Sequence, residues 1–302
     1  MELSLEGQQH NTMLAPFTTY HIGGPADFFV EVRSIGELGN AVREAQNAGV
    51  AYFLFGKGAN ILVTDKGFRG LVIHNCANRF EFLDRNRLRA ESGAIIAELI
   101  VACRDRGLSG LEHYVGIPST VGGALWQNLH FLSPAPARER TVFIAEVVER
   151  ATVLTKALDV KEVGPEYFQF CYDYSSLRET GDIVLDVTFQ LEPKPKEEIQ
   201  RVMEENMAWR IAKQPQLEEF PSCGSVFKKI KGVGAGRLID QAGLKGFRIG
   251  GAMVSPKHAN YFVNVDHATA ADVLVLIEHA QKVVKEKTGY WLEPEISIVG
   301  AR

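Results

Sequence analysis

Gly116-Ile117-Pro118-Ser119-Thr120-Val121-Gly122-Gly123-Ala124-Leu125-Trp126-Gln127-Asn128 is the most informative segment of this chain. Gly116, Pro118, Gly122 and Gly123 fall within eight residues, with the hydroxyls of Ser119 and Thr120 between them. An ordered glycine loses more backbone entropy than any other residue, so a simple turn does not call for so many. Glycine also lets backbone approach a ligand closely, and successive bared N–H groups form concave nests for phosphate oxygens. A second such segment, Gly56-Lys57-Gly58-Ala59-Asn60, lies sixty residues earlier, directly after the apolar run Tyr52–Phe55. Two nests suggest a ligand with two phosphates. The order is not the dinucleotide fingerprint, because no GxGxxG opens a helix after the first strand.

A chain of 302 residues suggests two domains, or one large domain with subdomains, and a hydrophobic content of 46% is enough to fill their cores. A net charge of −4 is not the footprint of a nucleic-acid binder. The longest apolar runs fall far short of a bilayer span, and Met1–His10 is polar and acidic, unlike a signal peptide. Cys76, Cys103, Cys171 and Cys223 show no CxxC or Cys/His ligand spacing, so they read as free thiols in a reducing cytosol, with no metal site expected.

Ser34 is positioned to cap a helix with Glu37 as its capping-box partner; Leu38, Ala41, Val42 and Ala45 make the apolar face and Gly49 the stop. Strands are expected at Asp27–Val32 and Tyr52–Phe55 on either side, then at Ile61–Val63 and Gly70–His74. A second helix is expected over Ala94–Arg106, with Ile95, Leu99 and Ala102 on one face. Phe143–Thr155 and Asp182–Leu191 alternate as half-buried strands do. Glu192–Lys196, with two prolines, reads as a linker without regular structure. A polar helix follows over Glu197–Ala212, then a smaller α/β region in which Thr269 and Asp272 cap a helix closed by Gly289. Trp291–Val299 is the expected last strand, with Glu295 and Ser297 on the face opposite Ile296 and Ile298.

Five motifs in order, GKGANILV, GIPSTVGGALWQN, PSCGSVFKK, AGLKGFRIGGAMVSPKHANYFVN and LEPEISIVG, resemble the UDP-N-acetylenolpyruvoylglucosamine reductase (UDP-N-acetylmuramate dehydrogenase) family, in its shorter type. The resemblance runs from about Thr18 to Gly300, with Leu129–Arg178 as its divergent middle. It implies an α+β fold: an FAD-binding domain over 1–195, of the vanillyl-alcohol-oxidase (PCMH-like) kind, with subdomains of about 1–75 and 76–195. A C-terminal α/β substrate-binding domain over 196–302 completes it. It further implies a cytoplasmic monomer that binds FAD non-covalently and takes NADPH and a UDP-sugar, with no nucleic-acid or membrane partner. The implied reaction reduces UDP-N-acetyl-3-O-(1-carboxyvinyl)glucosamine to UDP-N-acetylmuramate for peptidoglycan precursor synthesis.

The resemblance also implies roles for individual residues. Gly56, Lys57, Gly58, Ala59 and Asn60, with Gly116, Ile117, Pro118, Ser119, Thr120, Gly122, Gly123 and Asn128, fall to FAD. The segment Tyr20–Gly24 resembles a further FAD-contacting stretch. Ser225 matches the family's proton-donating serine and Glu295 its catalytic glutamate. Tyr172, Lys228, Lys245, His258 and Asn260 match segments near the UDP-sugar. The family's Tyr-Arg-x-Ser is Tyr172-Asp173-Tyr174-Ser175 here, so Asp173 stands at the arginine position. Arg178 is the candidate to supply the missing cation, with Arg237 and Lys228 next in line. Asp173 keeps open a flavin-dependent oxidoreductase acting on a different substrate. A non-catalytic flavin- or UDP-sugar-binding protein is the third reading, and the retention of Ser225 and Glu295 argues against it.

Overall fold

The computed structural model describes residues 3–230 and 232–300. Met1 and Glu2 of the polar N-terminal segment lie outside them, as do Ala301 and Arg302 at the end of the substrate domain expected over 196–302. Two compact units emerge. One comprises residues 1–8, 30–56 and 73–210; the other comprises 9–29, 57–72 and 211–302.

The first unit is built on a five-stranded sheet. Its order is Val160–Val163, Val148–Leu154, Ile183–Gln190, Arg87–Glu91, Phe80–Leu83, and every neighbouring pair is antiparallel. Helices Ile96–Asp105 and Val121–Gln127 add Leu99, Ile100, Cys103, Ala124 and Leu125 to the core beside Val187 and Phe189 of the central strand. The buried face of the first helix is Ile96, Leu99, Ile100 and Cys103, one residue later than the expected Ile95, Leu99 and Ala102. Ile95 itself is the extended N-cap, so the helical phase begins after it.

Ile183–Gln190 is buried along its length except at Gln190, whereas alternation predicts one wet face. Its buried carboxylate has a partner: Asp186 pairs with Arg89 at 2.9 Å. Phe143 is extended but Ile144–Val147 form a 3-10 turn, so the strand begins at Val148. Glu192–Pro193 is also not free of structure: it pairs antiparallel with Leu108–Ser109, and Lys194 N–H donates to Gly107 O at 2.9 Å. Proline is tolerated there because the pairing is two residues long and at an edge.

The divergent middle begins with a hairpin, His130–Ser133 against Arg140–Phe143, before its Val148–Leu154 and Val160–Val163 strands join the five-stranded sheet. The hairpin is pinned to the Lys196–Lys213 helix by fully buried Asn206, which accepts from Ala135 N–H and donates to Ser133 Oγ, both at 2.9 Å.

In the second unit, the strands run in the order Ser222–Ser225, Tyr261–Asn264, Ala252–Val254, Arg248–Ile249. Helices Ala235–Gln241 and Ala270–Thr288 bring Leu238, Ile239, Val273, Leu276 and Ile277 to a core shared with Phe227 and Phe262. The capping box of Thr269 and Asp272 is present, and Gly289 ends the long helix at φ 78°. The last strand is only Ser297–Val299, parallel to Ile61–Val63. Glu295 therefore precedes it, and the expected strand alternation does not set where its side chain faces.

Candidate active site

The two glycine segments offer backbone donors, though not all the expected ones. Gly122 N–H is spent on Ser92 O at 2.7 Å, and Gly123 N–H on Thr120 Oγ1 at 3.3 Å. Ile117 and Val121 N–H groups go to Tyr114 O and Ala94 O. Among the described residues, the N–H groups of Ser119 and Thr120 take no acceptor, and neither do those of Lys57, Gly58 and Ala59. An unbonded N–H run through a glycine at φ 59° is the chemistry of an anion nest. These turns thus fit the diphosphate of FAD.

The glycines are demanded by packing as well. A Cβ on Gly58 would lie 2.8 Å from Phe17 O and 2.9 Å from Thr18 Cα, and one on Gly56 would overlap the Thr120 side chain. One on Gly122 would lie 3.2 Å from Ser92. Gly123 alone of these four is in ordinary contact distance, 3.4 Å from Thr120 Oγ1 and 3.6 Å from Ser119 Oγ.

Asn128 has a structural commitment: it ends the Val121–Gln127 helix at φ 50° and donates from Nδ2 to Cys171 O at 2.9 Å. Gly116, at φ 75°, receives Arg210 Nη2 on its carbonyl at 2.9 Å, and Ile117 packs on the core. Pro118 continues the loop towards Ser119. Lys57 is exposed, and Asn60 accepts Ser297 N–H at 3.0 Å.

In the second unit, Ser225 ends a strand that pairs with Tyr261–Asn264 through an irregularity. Ser222 faces Val263 and Ser225 faces Tyr261, so three steps on one strand match two on the other. The extra residue is a bulge, and Gly224 supplies it at φ 79°. A bulge re-aims the side chain that follows, leaving Ser225 half-buried. Asn260 holds the same turn: it accepts from Phe227 N–H at 3.1 Å and donates to Phe227 O at 2.8 Å. Its amide is thereby committed to positioning this backbone.

Glu295 comes alongside, its N–H donating to Val226 O at 2.8 Å, one residue beyond Ser225. Two residues before Ser225, buried Cys223 has its thiol pushed up first by burial and, against the opposing effect of a backbone hydrogen bond, by the charge of Glu295. Fully buried Tyr20 adjoins Cys223, and neither Tyr20 Oη nor Ser222 Oγ has a hydrogen-bond partner among the described residues. Thr19 Oγ1 donates to Ser222 O at 2.8 Å across 203 residues of sequence. Nothing local in the sequence signals that pairing.

The remaining candidates are dispersed. Lys228 pairs with Glu293, and Lys245 with Asp240 at 2.8 Å. His258 stacks edge-on against Tyr261, with ring centroids 4.9 Å apart.

In the first unit, Asp173 is buried at φ 53° and meets Gln127 Nε2 at 3.4 Å and His130 Nδ1 at 3.8 Å; its Oδ2 has no partner. It turns to these groups rather than to Arg178. Exposed Tyr172 packs on His130, with ring centroids 4.5 Å apart. Arg178 is half-buried in the short Leu177–Thr180 turn, its guanidinium 6.0 Å from the Trp126 ring centroid and its Nε without a partner.

Residues 26–157 match the family model described as FAD binding domain, which the donor-lined turns fit, and the chain is an FAD-dependent oxidoreductase. Residues 214–299 match the UDP-N-acetylenolpyruvoylglucosamine reductase C-terminal domain. A UDP-N-acetylenolpyruvoylglucosamine reductase of Lactiplantibacillus plantarum is 42% identical over 291 residues, covering 96% of this chain and 93% of that one. One from Caldicellulosiruptor saccharolyticus is 39% identical, covering 95% and 90%. The crystal structure of the Thermus caldophilus reductase superposes with a TM-score of 0.80 at 34% identity, covering 95% of this chain and 97% of that one. The chain belongs to the UDP-N-acetylenolpyruvoylglucosamine reductase family. Among the described residues no helix is long and apolar enough to cross a membrane.

Proposed function

We propose that this chain reduces UDP-N-acetyl-3-O-(1-carboxyvinyl)glucosamine to UDP-N-acetylmuramate at the expense of NADPH, in peptidoglycan precursor synthesis. The observation that carries the reading is the bulge-mounted Ser225 with Glu295 on the adjoining backbone, inside a domain matched over residues 214–299. FAD, when bound, supplies the transfer of hydride from NADPH to the β-carbon of the enolpyruvyl group.

The N–H groups of Lys57, Gly58 and Ala59, and those of Ser119 and Thr120, hold the FAD phosphates. Ser225 Oγ–H gives its proton to the substrate α-carbon, where charge spreads into the carboxylate after hydride arrives. Glu295 assists that proton transfer. Arg178 is the guanidinium for the substrate carboxylate, since a planar fork matches a carboxylate bidentately. Lys245 is the point charge for the UDP diphosphate, on exchange from Asp240. The domain boundary near 195 separates the cofactor part from the substrate part, and the enzyme works as a cytoplasmic monomer.

The test is anaerobic reduction by NADPH followed by addition of the enolpyruvyl substrate. Bleaching of the flavin, then its reoxidation with one equivalent of product, is the expected result. Bleaching without reoxidation by that substrate would move the activity to another acceptor, the alternative that Asp173 raises.

A further inference from the structure

Fully buried Asn206 holds more than the hairpin. Its Nδ2 also donates to His113 O at 3.4 Å, and Arg210, four residues on along the same helix, donates from Nη2 to Gly116 O at 2.9 Å. His113 belongs to the 3-10 turn Glu112–Tyr114, and Tyr114 O accepts the N–H of Ile117 at 3.0 Å. One helix thus grips the hairpin, the 3-10 turn and the start of the glycine segment that carries Ser119 and Thr120.

A chain of side-chain hydrogen bonds runs through this grip. Asn206 Oδ1 accepts the Ala135 N–H, so its Nδ2 is the group that meets Ser133 Oγ at 2.9 Å. Fully buried Ser133 therefore accepts from Asn206 and keeps its own proton for His113 Nδ1, at 2.8 Å. The network assigns His113 as a neutral imidazole with its proton on Nε2. Nε2 lies 3.7 Å from Glu112 Oε1, beyond hydrogen-bond length. That carboxylate is engaged elsewhere, by Ser109 Oγ at 2.5 Å and by Gly110 N–H at 2.6 Å.

A proton on Nδ1 breaks the chain. Ser133 Oγ would then have to accept from both His113 and Asn206, and its own hydrogen would lose its acceptor. The groups around the ring do not offset this. Burial, the largest influence, disfavours the imidazolium and holds His113 below the usual imidazole range. Glu112, and Glu146 of the turn Ile144–Val147, favour the charge; Lys194 and Arg140 oppose it, and Arg140 is itself paired with Glu146 at 2.8 Å. Cys103, on the helix against this turn, stays a neutral thiol, pushed up to about 12 by burial and then by Glu112. Tyr114 is likewise pushed up by burial and stays neutral.

We propose that His113 is a positioning residue for the FAD turn: neutral, it locks hairpin, helix and turn together, and protonated, it releases them and weakens FAD binding. The inference rests on the assignment of Ser119 and Thr120 to the FAD phosphates. The open form takes the proton more readily than the locked one. Opening is therefore favoured as pH falls below the ordinary imidazole value of about 6.5, towards the lower value of the locked form.

The experiment follows amide hydrogen exchange and FAD affinity of the full chain. Between about pH 7.5 and about pH 5.5, the Ala135 and Ile117 amides should lose about threefold or more of their protection, measured against intrinsic exchange, with a limit of about tenfold per pH unit for one proton. Amides of the central strand Ile183–Gln190 should keep theirs, which separates release of the lock from global unfolding. FAD affinity of the stripped protein should fall in parallel. His113→Gln keeps an acceptor for Ser133 and takes no proton, so both trends should vanish in it while FAD affinity at neutral pH is retained. NMR titration of the His113 ring in the wild type gives an independent midpoint that the exchange transition should share, and it decides the matter even where the variant fails to fold. Protection that does not follow His113 protonation, or an unchanged trend in His113→Gln, overturns the inference. Protection that follows His113 while FAD affinity does not would uphold the lock and remove Ser119 and Thr120 from the cofactor site.

Discussion

At the residue scale, chemistry in this chain depends on where a few side chains are held, and the holding groups are mostly remote in sequence. In the proposed function Ser225 acts only after hydride has reached the substrate. Ser225→Ala should therefore keep the rate of flavin reduction by NADPH and lose reoxidation by substrate by about 10²–10⁴-fold. Glu295→Gln should show the same split, and stopped-flow absorbance at the flavin band separates the two steps. Slowed reduction by NADPH would give these residues a different role.

Arg178 is neither a solvated charge nor fully committed, with its guanidinium over Trp126 and Nε unpaired. Arg178→Lys should slow reoxidation tenfold or more, about 1.4 kcal/mol of barrier, and leave reduction by NADPH intact. Normal reoxidation in both Arg178→Lys and Arg178→Ala would send the search to Arg237 and Lys228. Asp173 illustrates what sequence hides. The letter at position 173 shows the missing arginine, but its pairing with Gln127 and His130 follows only from the fold of the divergent hairpin.

At the element scale, local signals were the legible ones. The cap Ser34, the face Leu38–Ala41–Val42–Ala45 and the box Thr269–Asp272 lie within one or two helical turns, and all three are found. Elements whose limits depend on distant partners were not legible. The Glu192–Pro193 pairing depends on Leu108–Ser109, and the Ser222–Ser225 bulge on Tyr261–Asn264. The shift from Ile95 to Ile96 has a similar cause, because Ile95 is drawn into an isolated bridge with Thr120.

The Thr269 cap gives a measurable consequence. Thr269→Ala should cost about 1 kcal/mol in urea unfolding. Asp272 adds a pH dependence. Its carboxyl is held below the usual range, first by the Thr269 N–H and, against the opposing effect of burial, by the Gly251 N–H. A depressed folded-state pKa stabilises above the unfolded value of about 3.9 and loses that contribution as pH falls through the folded value. The stability difference between wild type and Asp272→Asn should thus be constant from pH 7 to about 5 and shrink below about pH 4. A difference that grows on acidification would contradict the cap's charge.

At the scale of the whole molecule, cofactor binding and folding are linked, and the glycine turns let the two be separated. A ligand that binds only the folded state stabilises it by about 2.7 kcal/mol at one hundred times its Kd. Bulky residues at Gly56, Gly58 or Gly122 do not test FAD contact cleanly, because each new Cβ meets Thr120, Phe17 and Thr18, or Ser92 first. The apoprotein itself should lose thermal stability in Gly58→Val and Gly56→Val. Gly123 differs: it is exposed, it lies inside a helix, and an added Cβ finds only ordinary contacts. Alanine is favoured over glycine in a helix interior by about 1 kcal/mol. Gly123→Ala should therefore leave the apoprotein at least as stable as the wild type while reducing the gain in Tm that FAD confers. Thermal scans of stripped and FAD-saturated protein read both quantities from one sample. An undiminished FAD-dependent gain would remove Gly123 from the cofactor surface, and a less stable apoprotein would mean that its conformation, not its closeness to FAD, requires glycine.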